Sequence, residues 1–127
     1  LDDPQRLRPA YDAYGAYAAS KLANVLFAFE LARRVAERGI SVNALHPGVV
    51  STKLLTEGFG MQGGETEAEG AATSVMLALE PIGGQVSGRY FSHRREAQAS
   101  QVAHDRELAR KFYELTAQLV GEAPLSA

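Results

Sequence analysis

Apolar and charged positions recur with a helical period over residues 13–38. The apolar positions form one stripe, made of Leu22, Val25, Leu26, Phe29, Ala32 and Val35. The opposite face is charged and holds Glu30, Arg33, Arg34, Glu37 and Arg38. This spacing predicts a long amphipathic helix. Gly39 follows it and is typical of a left-handed helix cap.

Further along the chain, residues 40–46 read as a short strand that Pro47 and Gly48 terminate. A glycine-rich loop over 49–65 comes next, of the length that usually carries function. Thr66 and Glu69 have the spacing of a capping box and predict the start of a second helix, which ends at Glu80 and Pro81. Its predicted apolar stripe is Ala72, Val75, Met76 and Leu79.

A second short strand is predicted over 86–91 and a third amphipathic helix over 102–120. The apolar positions of that helix are Leu108, Phe112, Leu115 and Leu119, and it ends at Gly121 and Pro124. The layout is α-β-α-β-α, with residues 1–10 as a connector and a single domain over 1–127. Two strands joined through a helix should be parallel, and two strands cannot cover three amphipathic helices. We therefore expect the C-terminal half of a doubly wound α/β domain whose first strands are absent from this sequence.

Composition excludes several classes of function. The 127 residues are 46% hydrophobic and 22% charged, with a formal charge of -2, which is typical of one soluble globular unit without a basic face for nucleic acid. Zero cysteines exclude disulfides and thiol catalysis. His46, His93 and His104 match no metal-binding spacing. We see no signal peptide and no membrane-spanning run, so the expected location is cytoplasmic.

Tyr17 and Lys21 are the first candidates for chemistry. A four-residue spacing places both on one face of the first helix. A phenol normally releases its proton only near pH ~10, but a fixed cation beside it favours the phenolate. Such a pair can move a proton in carbonyl or alcohol chemistry. The alternative is a half-buried helix tyrosine beside a solvated lysine.

Two other segments could bind a ligand. Pro47, Gly48 and Thr52 lie after a strand, where backbone N–H groups and a hydroxyl suit a carboxamide or a phosphate; the alternative is a simple strand-ending turn. His46 could line this site, although a histidine packed at the strand end is the preferred interpretation. Residues 58–63 match the dinucleotide fingerprint G-x-G-x-x-G, but they follow the strand by about a dozen residues. We interpret them as a mobile loop.

Four segments together resemble the short-chain dehydrogenase/reductase family, in its retinol-dehydrogenase-like branch. They are residues 17–27 (YAASKLANVLF), 41–52 (SVNALHPGVVST), 70–75 (GAATSV) and 86–91 (VSGRYF). The resemblance covers nearly the whole chain. It implies the C-terminal half of a Rossmann-like doubly wound parallel sheet and an oxidoreductase that interconverts a carbonyl and an alcohol by hydride transfer.

The resemblance also implies roles for single residues. Tyr17 becomes the general acid/base, and Lys21 favours its phenolate while hydrogen-bonding the nicotinamide ribose. Pro47 and Gly48 form the turn beside the nicotinamide. The Val50 backbone contacts the carboxamide, and the Thr52 hydroxyl is a further cofactor contact. Residues 54–64 become a substrate lid. The implied cofactor is NAD or NADP, with NADP slightly favoured, and the substrate is a small-molecule carbonyl or alcohol.

Parts of the family pattern are absent from this sequence. The glycine-rich nucleotide loop, the Asn-Ala-Gly segment, the catalytic serine and the catalytic asparagine normally precede the tyrosine helix. We therefore expect the chain alone to be inactive. Two alternatives stay open: an NAD-dependent sugar epimerase or dehydratase, which also uses a Tyr-x-x-x-Lys pair, and a non-catalytic fragment that assembles through its tyrosine helix. A homo-oligomer formed through that helix is also expected.

Overall fold

The computed structural model describes residues 1–4 and 11–126. The helices are α1 (Ala13–Arg34), α2 (Glu67–Leu79), α3 (Ile82–Gln85) and α4 (Arg106–Val120). The strands are β1 (Ala44–His46), β2 (Tyr90–Ser92) and β3 (Arg95–Ala97). Short 3-10 turns cover Ala36–Arg38 and Gln101–His104, and a π-helical turn covers Leu54–Gly58. Of the predicted connector over residues 1–10, positions 5–10 lie outside the described residues.

The three strands form one sheet in the order β1-β2-β3. β1 and β2 are parallel, with Leu45 opposite Phe91, which confirms the predicted parallel pair and the α/β class. β3 pairs antiparallel with β2 and was not predicted. It follows a two-residue turn, His93 and Arg94, that contains no Asn-Gly or Asp-Gly signal of a hairpin. The observed layout is therefore α-β-α-α-β-β-α rather than α-β-α-β-α.

The strands are shorter than the predicted 40–46 and 86–91 because side chains replace part of the ladder. Asn43 Nδ2 donates to the Val86 carbonyl at 2.9 Å, and its Oδ1 accepts from the Arg89 N–H at 3.1 Å. The Val42 N–H donates to Ser87 Oγ at 3.0 Å. These bonds hold residues 42–43 beside 86–89 without regular strand geometry.

Helix α1 begins at Asp12, whose carboxylate accepts from the Gly15 N–H at 2.8 Å. The helix ends earlier than the predicted residue 38, because Val35 leaves helical geometry and a 3-10 turn follows. Leu26, Phe29, Ala32 and Val35 are buried, which confirms the main part of the predicted stripe. The predicted exposed position of Glu30 is wrong, since this residue is only 4% exposed.

Glu30 is buried within an ion cluster that joins α1 to α4. Its carboxylate accepts from Arg33 Nη2 at 2.6 Å and from Arg34 Nε at 2.7 Å. The Arg34 guanidinium lies 4.5 Å from the centre of the Tyr113 ring on α4 and donates to the Leu125 carbonyl. Burial alone raises the pKa of the Glu30 carboxyl, but the hydrogen bonds from Arg33 and Arg34 outweigh it and hold the pKa below its ordinary value.

Helix α4 packs along α1 through small residues around one aromatic ring. Ala109, Tyr113 and Ala117 are buried, and Tyr113 stacks on Phe27 with 5.2 Å between the ring centres. The predicted apolar stripe is therefore wrong as a buried face, since its four members are only partly buried or exposed. The alanines allow a close approach of the two helices. Gly121, with a φ of 74°, ends α4 as predicted.

Helix α2 begins with the predicted capping box. Thr66 Oγ1 accepts from the Glu69 N–H, and Glu69 accepts from the Thr66 N–H at 2.8 Å. The hydrogen bonds from the Thr66 backbone and then from its side chain lower the pKa of Glu69. The predicted apolar stripe is only partly right, because Met76 is buried while Val75 and Leu79 are 51% and 80% exposed.

In the described part of the chain, no helix is both long enough and apolar enough to cross a membrane. The same residues contain no group of three His, Cys, Asp or Glu side chains arranged to hold a metal ion.

Apolar surface on the isolated 127-residue chain should bind a hydrophobic dye. Large apolar side chains are exposed on several elements: Ile40 (52%), Val49 (51%), Val75 (51%), Leu79 (80%) and Val120 (67%). Exposed apolar surface of this kind favours dye binding and association. Dye fluorescence and sedimentation at several concentrations measure both. A monomer that melts in one sharp transition and binds no dye would contradict this expectation.

Replacing Glu30 by glutamine should destabilise the fold by about 1–3 kcal/mol, because it removes the carboxylate that Arg33 and Arg34 share and leaves Arg34 with only the longer carboxylate contact, to Glu114 at 3.6 Å. The pKa of Glu30 is lowered in the folded state from 4.5, so its contribution is present above that pH and is lost as the pH falls through the folded value. The free energy of unfolding, measured with urea from about pH 6 to about pH 3, should therefore fall less steeply with pH in Glu30→Gln than in wild type.

Glu107 provides the control for that experiment. It pairs with Arg110 at 2.8 Å on the exposed face of α4, so Glu107→Gln should change stability little. If Glu30→Gln and Glu107→Gln lower the free energy of unfolding equally, the buried cluster contributes no more to stability than a surface ion pair.

Candidate active site

Tyr17 and Lys21 lie on the same face of α1, as their spacing predicts. Lys21 Nζ is 5.1 Å from the centre of the Tyr17 ring. Phe59, from the loop between β1 and α2, meets the same ring edge-on, with 5.2 Å between ring centres and an interplanar angle of 72°. Tyr17 stays 37% exposed. Its ring is therefore in contact with a cation and an aromatic side chain while remaining accessible to a ligand.

The turn after β1 is held by a parallel bridge to Glu65. The Glu65 N–H donates to the Val49 carbonyl at 2.8 Å, and the Ser51 N–H donates to the Glu65 carbonyl at 2.9 Å. In a parallel bridge the central residue directs its own N–H and C=O to the opposite side. Val50 is that residue. Within the described residues, neither backbone group of Val50 has a hydrogen-bond partner, so both can serve a ligand such as a carboxamide.

Two glycines allow close approaches around this turn. Gly48 has a φ of 92°, and a Cβ there would lie 2.2 Å from Glu65 Oε2. A Cβ on Gly70, in the first turn of α2, would lie 2.4 Å from Val50 Cγ2. A side chain at Gly70 would displace Val50, and one at Gly48 would displace the Glu65 carboxylate and be strained by the positive φ. The chain thus packs Val50 against the start of α2 and the Glu65 carboxylate against Gly48.

A second set of contacts reaches the turn from the end of β2. His93 Nε2 lies 2.9 Å from Glu65 Oε1, and His93 Nδ1 lies 2.9 Å from Ser92 Oγ. Pro47, Glu65, His93 and Arg94 are among the residues around an open groove of about 240 Å³ beside the turn.

The predicted site residues fall into two groups. Tyr17 and Lys21 share one face of α1, whereas Pro47, Gly48, Val50 and Thr52 belong to the turn after β1. Among the described residues, no hydrogen bond or ring contact joins the groups directly. They are linked through the loop that carries Phe59.

The structure also shows the positions of His46 and of residues 58–63, which match the dinucleotide fingerprint in sequence. Residues 58–63 begin at the end of a π-helical turn, twelve positions after β1 ends, which agrees with the rejection of a dinucleotide fingerprint. His46 ends β1 and is exposed, so the preferred interpretation of a packed histidine is wrong. The physical reason is that β1 lies at one edge of the described sheet.

The sequence analysis missed Phe59, Glu65 and His93. Their contacts join segments far apart in the chain, and periodicity carries no information on such contacts. The turn of His93 and Arg94 carries no Asn-Gly or Asp-Gly pair, and residues 95–97 (Arg-Glu-Ala) do not alternate, so no sequence signal marks the hairpin that places His93.

The sequence profile of the family described as short chain dehydrogenase matches residues 8–62 of this chain. Retinol dehydrogenase 14 of Mus musculus is 38% identical over 124 residues, which cover 88% of this chain and 37% of that protein. Retinol dehydrogenase 13 of Homo sapiens is 37% identical over 140 residues, covering 98% and 42%. A probable oxidoreductase of Streptomyces lividans is 41% identical over 114 residues, covering 76% and 38%.

These alignments cover 76% to 98% of this chain, which is more than the residues that the profile matches. The chain spans about two fifths of the length of the relatives it matches.

Proposed function

The chain belongs to the short-chain dehydrogenase family, in its retinol-dehydrogenase-like branch, and we propose that it is the C-terminal part of an NAD(P)-dependent oxidoreductase that interconverts a small carbonyl and an alcohol. The observation that carries the proposal is the position of Lys21 Nζ, 5.1 Å from the centre of the Tyr17 ring, on a helix face that remains accessible. The names of the relatives favour this branch over a sugar epimerase or dehydratase.

In this proposal Tyr17 moves the proton. The hydroxyl donates to the carbonyl oxygen during reduction and takes the proton back during alcohol oxidation. The Lys21 cation favours the phenolate that forms in the first case and is needed in the second. Phe59 packs against the Tyr17 ring, with 5.2 Å between the ring centres. Bound NAD(P)H supplies the hydride that the carbonyl carbon receives.

The turn after β1 fits a nicotinamide group. Val50 presents an unpaired N–H and C=O in the described structure, which match the acceptor and donor of a carboxamide. Gly48 lies beside it in contact with the Glu65 carboxylate, and Pro47 and Thr52 are exposed on either side. The ribose contact of Lys21 and the preference for NADP over NAD belong to the same proposal. Residues 54–64 form the substrate lid in it.

Two further features belong to this proposal. The exposed aromatic rings at the start of α1, Tyr11 (69%) and Tyr14 (72%), support a homo-oligomer formed through this helix. The cytoplasmic location expected from the sequence stays a prediction.

Tyr17→Phe in the full-length protein should lower turnover at least about 100-fold, because it removes the proton-transferring hydroxyl. Cofactor binding should stay nearly intact. Tyr14→Phe is the matched control, since Tyr14 lies on the same helix but is 72% exposed, and it should leave turnover unchanged. Steady-state kinetics and cofactor titration measure both quantities. Turnover of Tyr17→Phe within tenfold of wild type would show that another group moves the proton.

Lys21→Met should weaken cofactor binding and also move the pH–rate profile to higher pH. Losing a charged hydrogen bond costs about 1.5–3 kcal/mol of binding, and losing the cation disfavours the phenolate. Lys21→Arg keeps the charge but has a wider, planar head group, so it should restore only part of the activity. Lys111→Met, an exposed lysine on α4, serves as the control. If Lys21→Met leaves both the pH–rate profile and the cofactor affinity unchanged, Lys21 is a solvated helix lysine without either role.

A further inference from the structure

Glu65 connects three parts of the chain around the turn after β1. Its backbone forms both hydrogen bonds of the bridge that brackets Val50. Its carboxylate occupies the space beside the Cα of Gly48, where a Cβ would lie 2.2 Å from Oε2. The other carboxylate oxygen meets His93 at the end of β2. One residue therefore contacts the turn after β1 by its backbone and its side chain, and the turn between β2 and β3 by its side chain.

The His93 contact has a defined direction. A carboxylate only accepts hydrogen bonds, so His93 Nε2 carries the proton that Glu65 Oε1 accepts at 2.9 Å. In the neutral imidazole, Nδ1 then accepts from the Ser92 hydroxyl at 2.9 Å. The ring is held at both nitrogens and cannot rotate away from Glu65 without losing one of these bonds.

The backbone that positions His93 has an uncommon conformation. His93 and Arg94 have φ values of 50° and 60°, a left-handed region that few non-glycine residues adopt; histidine does so more often than most, whereas arginine is not among the enriched residues. Such a conformation persists where surrounding contacts hold it. Here the Arg94 N–H donates to Thr73 Oγ1 at 3.0 Å, and the Arg94 side chain pairs with Glu80 at 2.9 Å. Contacts from α2 thus maintain a turn that directs His93 at Glu65.

We propose that Glu65, held by His93, is a positioning residue that fixes the Val50 backbone and Gly48 for the nicotinamide end of the cofactor. This inference rests on the proposed function and assigns to it two residues outside the Tyr-x-x-x-Lys pair and the turn itself. The two residues act through the backbone of the turn and do not contact the reacting atoms.

The test uses the full-length protein and two readouts. Amide hydrogen exchange at Ser51 and Glu65, measured without cofactor, reports the bridge directly. Kinetics then separate the KM for the cofactor from kcat. Glu65→Ala should speed exchange at both amides about three- to tenfold and raise the cofactor KM by a similar factor, with a smaller change in kcat. Glu65→Gln keeps an oxygen that accepts from His93, so it should stay within about threefold of wild type.

Two variants of the turn separate the hydrogen bond from the backbone strain. His93→Asn tolerates the left-handed conformation but is too short to repeat the contact, so it should resemble Glu65→Ala. Arg94→Gly removes the exposed Arg94–Glu80 pair but keeps the N–H that donates to Thr73 and the contact of His93 with Glu65, so it should change exchange and the cofactor KM much less than His93→Asn. If Glu65→Ala fails to fold, His93→Asn tests the same contact alone.

Unchanged exchange and an unchanged cofactor KM in Glu65→Ala or in His93→Asn would overturn the positioning role. Glu65→Gln as impaired as Glu65→Ala would contradict the hydrogen bond as its basis. Failure of the proposed function looks different: the wild-type protein itself would then bind neither NAD nor NADP. In that case faster exchange in the variants would still show that Glu65 orders the turn, and unchanged exchange would overturn that too.

Discussion

The packing of α1 against α4 is the constraint on which the placement of the candidate catalytic pair depends. The second half of α1 is buried, and the Glu30 cluster fixes it to Tyr113 and to the carbonyl of Leu125. The first half carries Tyr17 and Lys21 and remains exposed. A continuous helix transmits position along its axis, so anchoring one end orients the other. Tyr17 and Lys21 therefore keep a defined position although they make few packing contacts of their own.

The turn after β1 is constrained by a different kind of contact. No regular ladder continues beyond His46, and the backbone of 49–51 is instead bridged to the residue that precedes the α2 capping box. Because α2 begins directly after Glu65, the helix start and the turn move together. Gly70 allows Val50 to approach the helix, which strengthens this coupling. The position of the turn is therefore set by α2 and β2 as much as by β1.

Sequence reasoning identified the features that depend on neighbours along the chain. The buried stripe of α1, the Thr66 capping box, the Gly121 cap and the Tyr17–Lys21 face all follow from spacing on one helix. It failed where the burial of a residue depends on its contacts and not on its polarity and spacing alone. Glu30 is charged and so was placed on the exposed face, yet two arginines of the same helix compensate its burial. The predicted buried face of α4 was wrong because Tyr113 contacts Phe27 and Arg34 of α1, so the face that carries Tyr113 is the buried one.

The same distinction explains why the candidate site was only partly predicted. Motif residues such as Tyr17 and Gly48 carry their chemistry in their type and spacing, so a resemblance to a family can assign them. Glu65 and His93 have no such signature: they are 28 positions apart, and their contact exists only because a strained two-residue turn follows β2. Glycine or asparagine at these two positions would adopt the positive φ values with less strain. In this turn the His93 side chain contacts Glu65, the Arg94 side chain pairs with Glu80, and the Arg94 N–H donates to Thr73 of α2. Supporting contacts of this kind become visible only when the strands and α2 are placed in space.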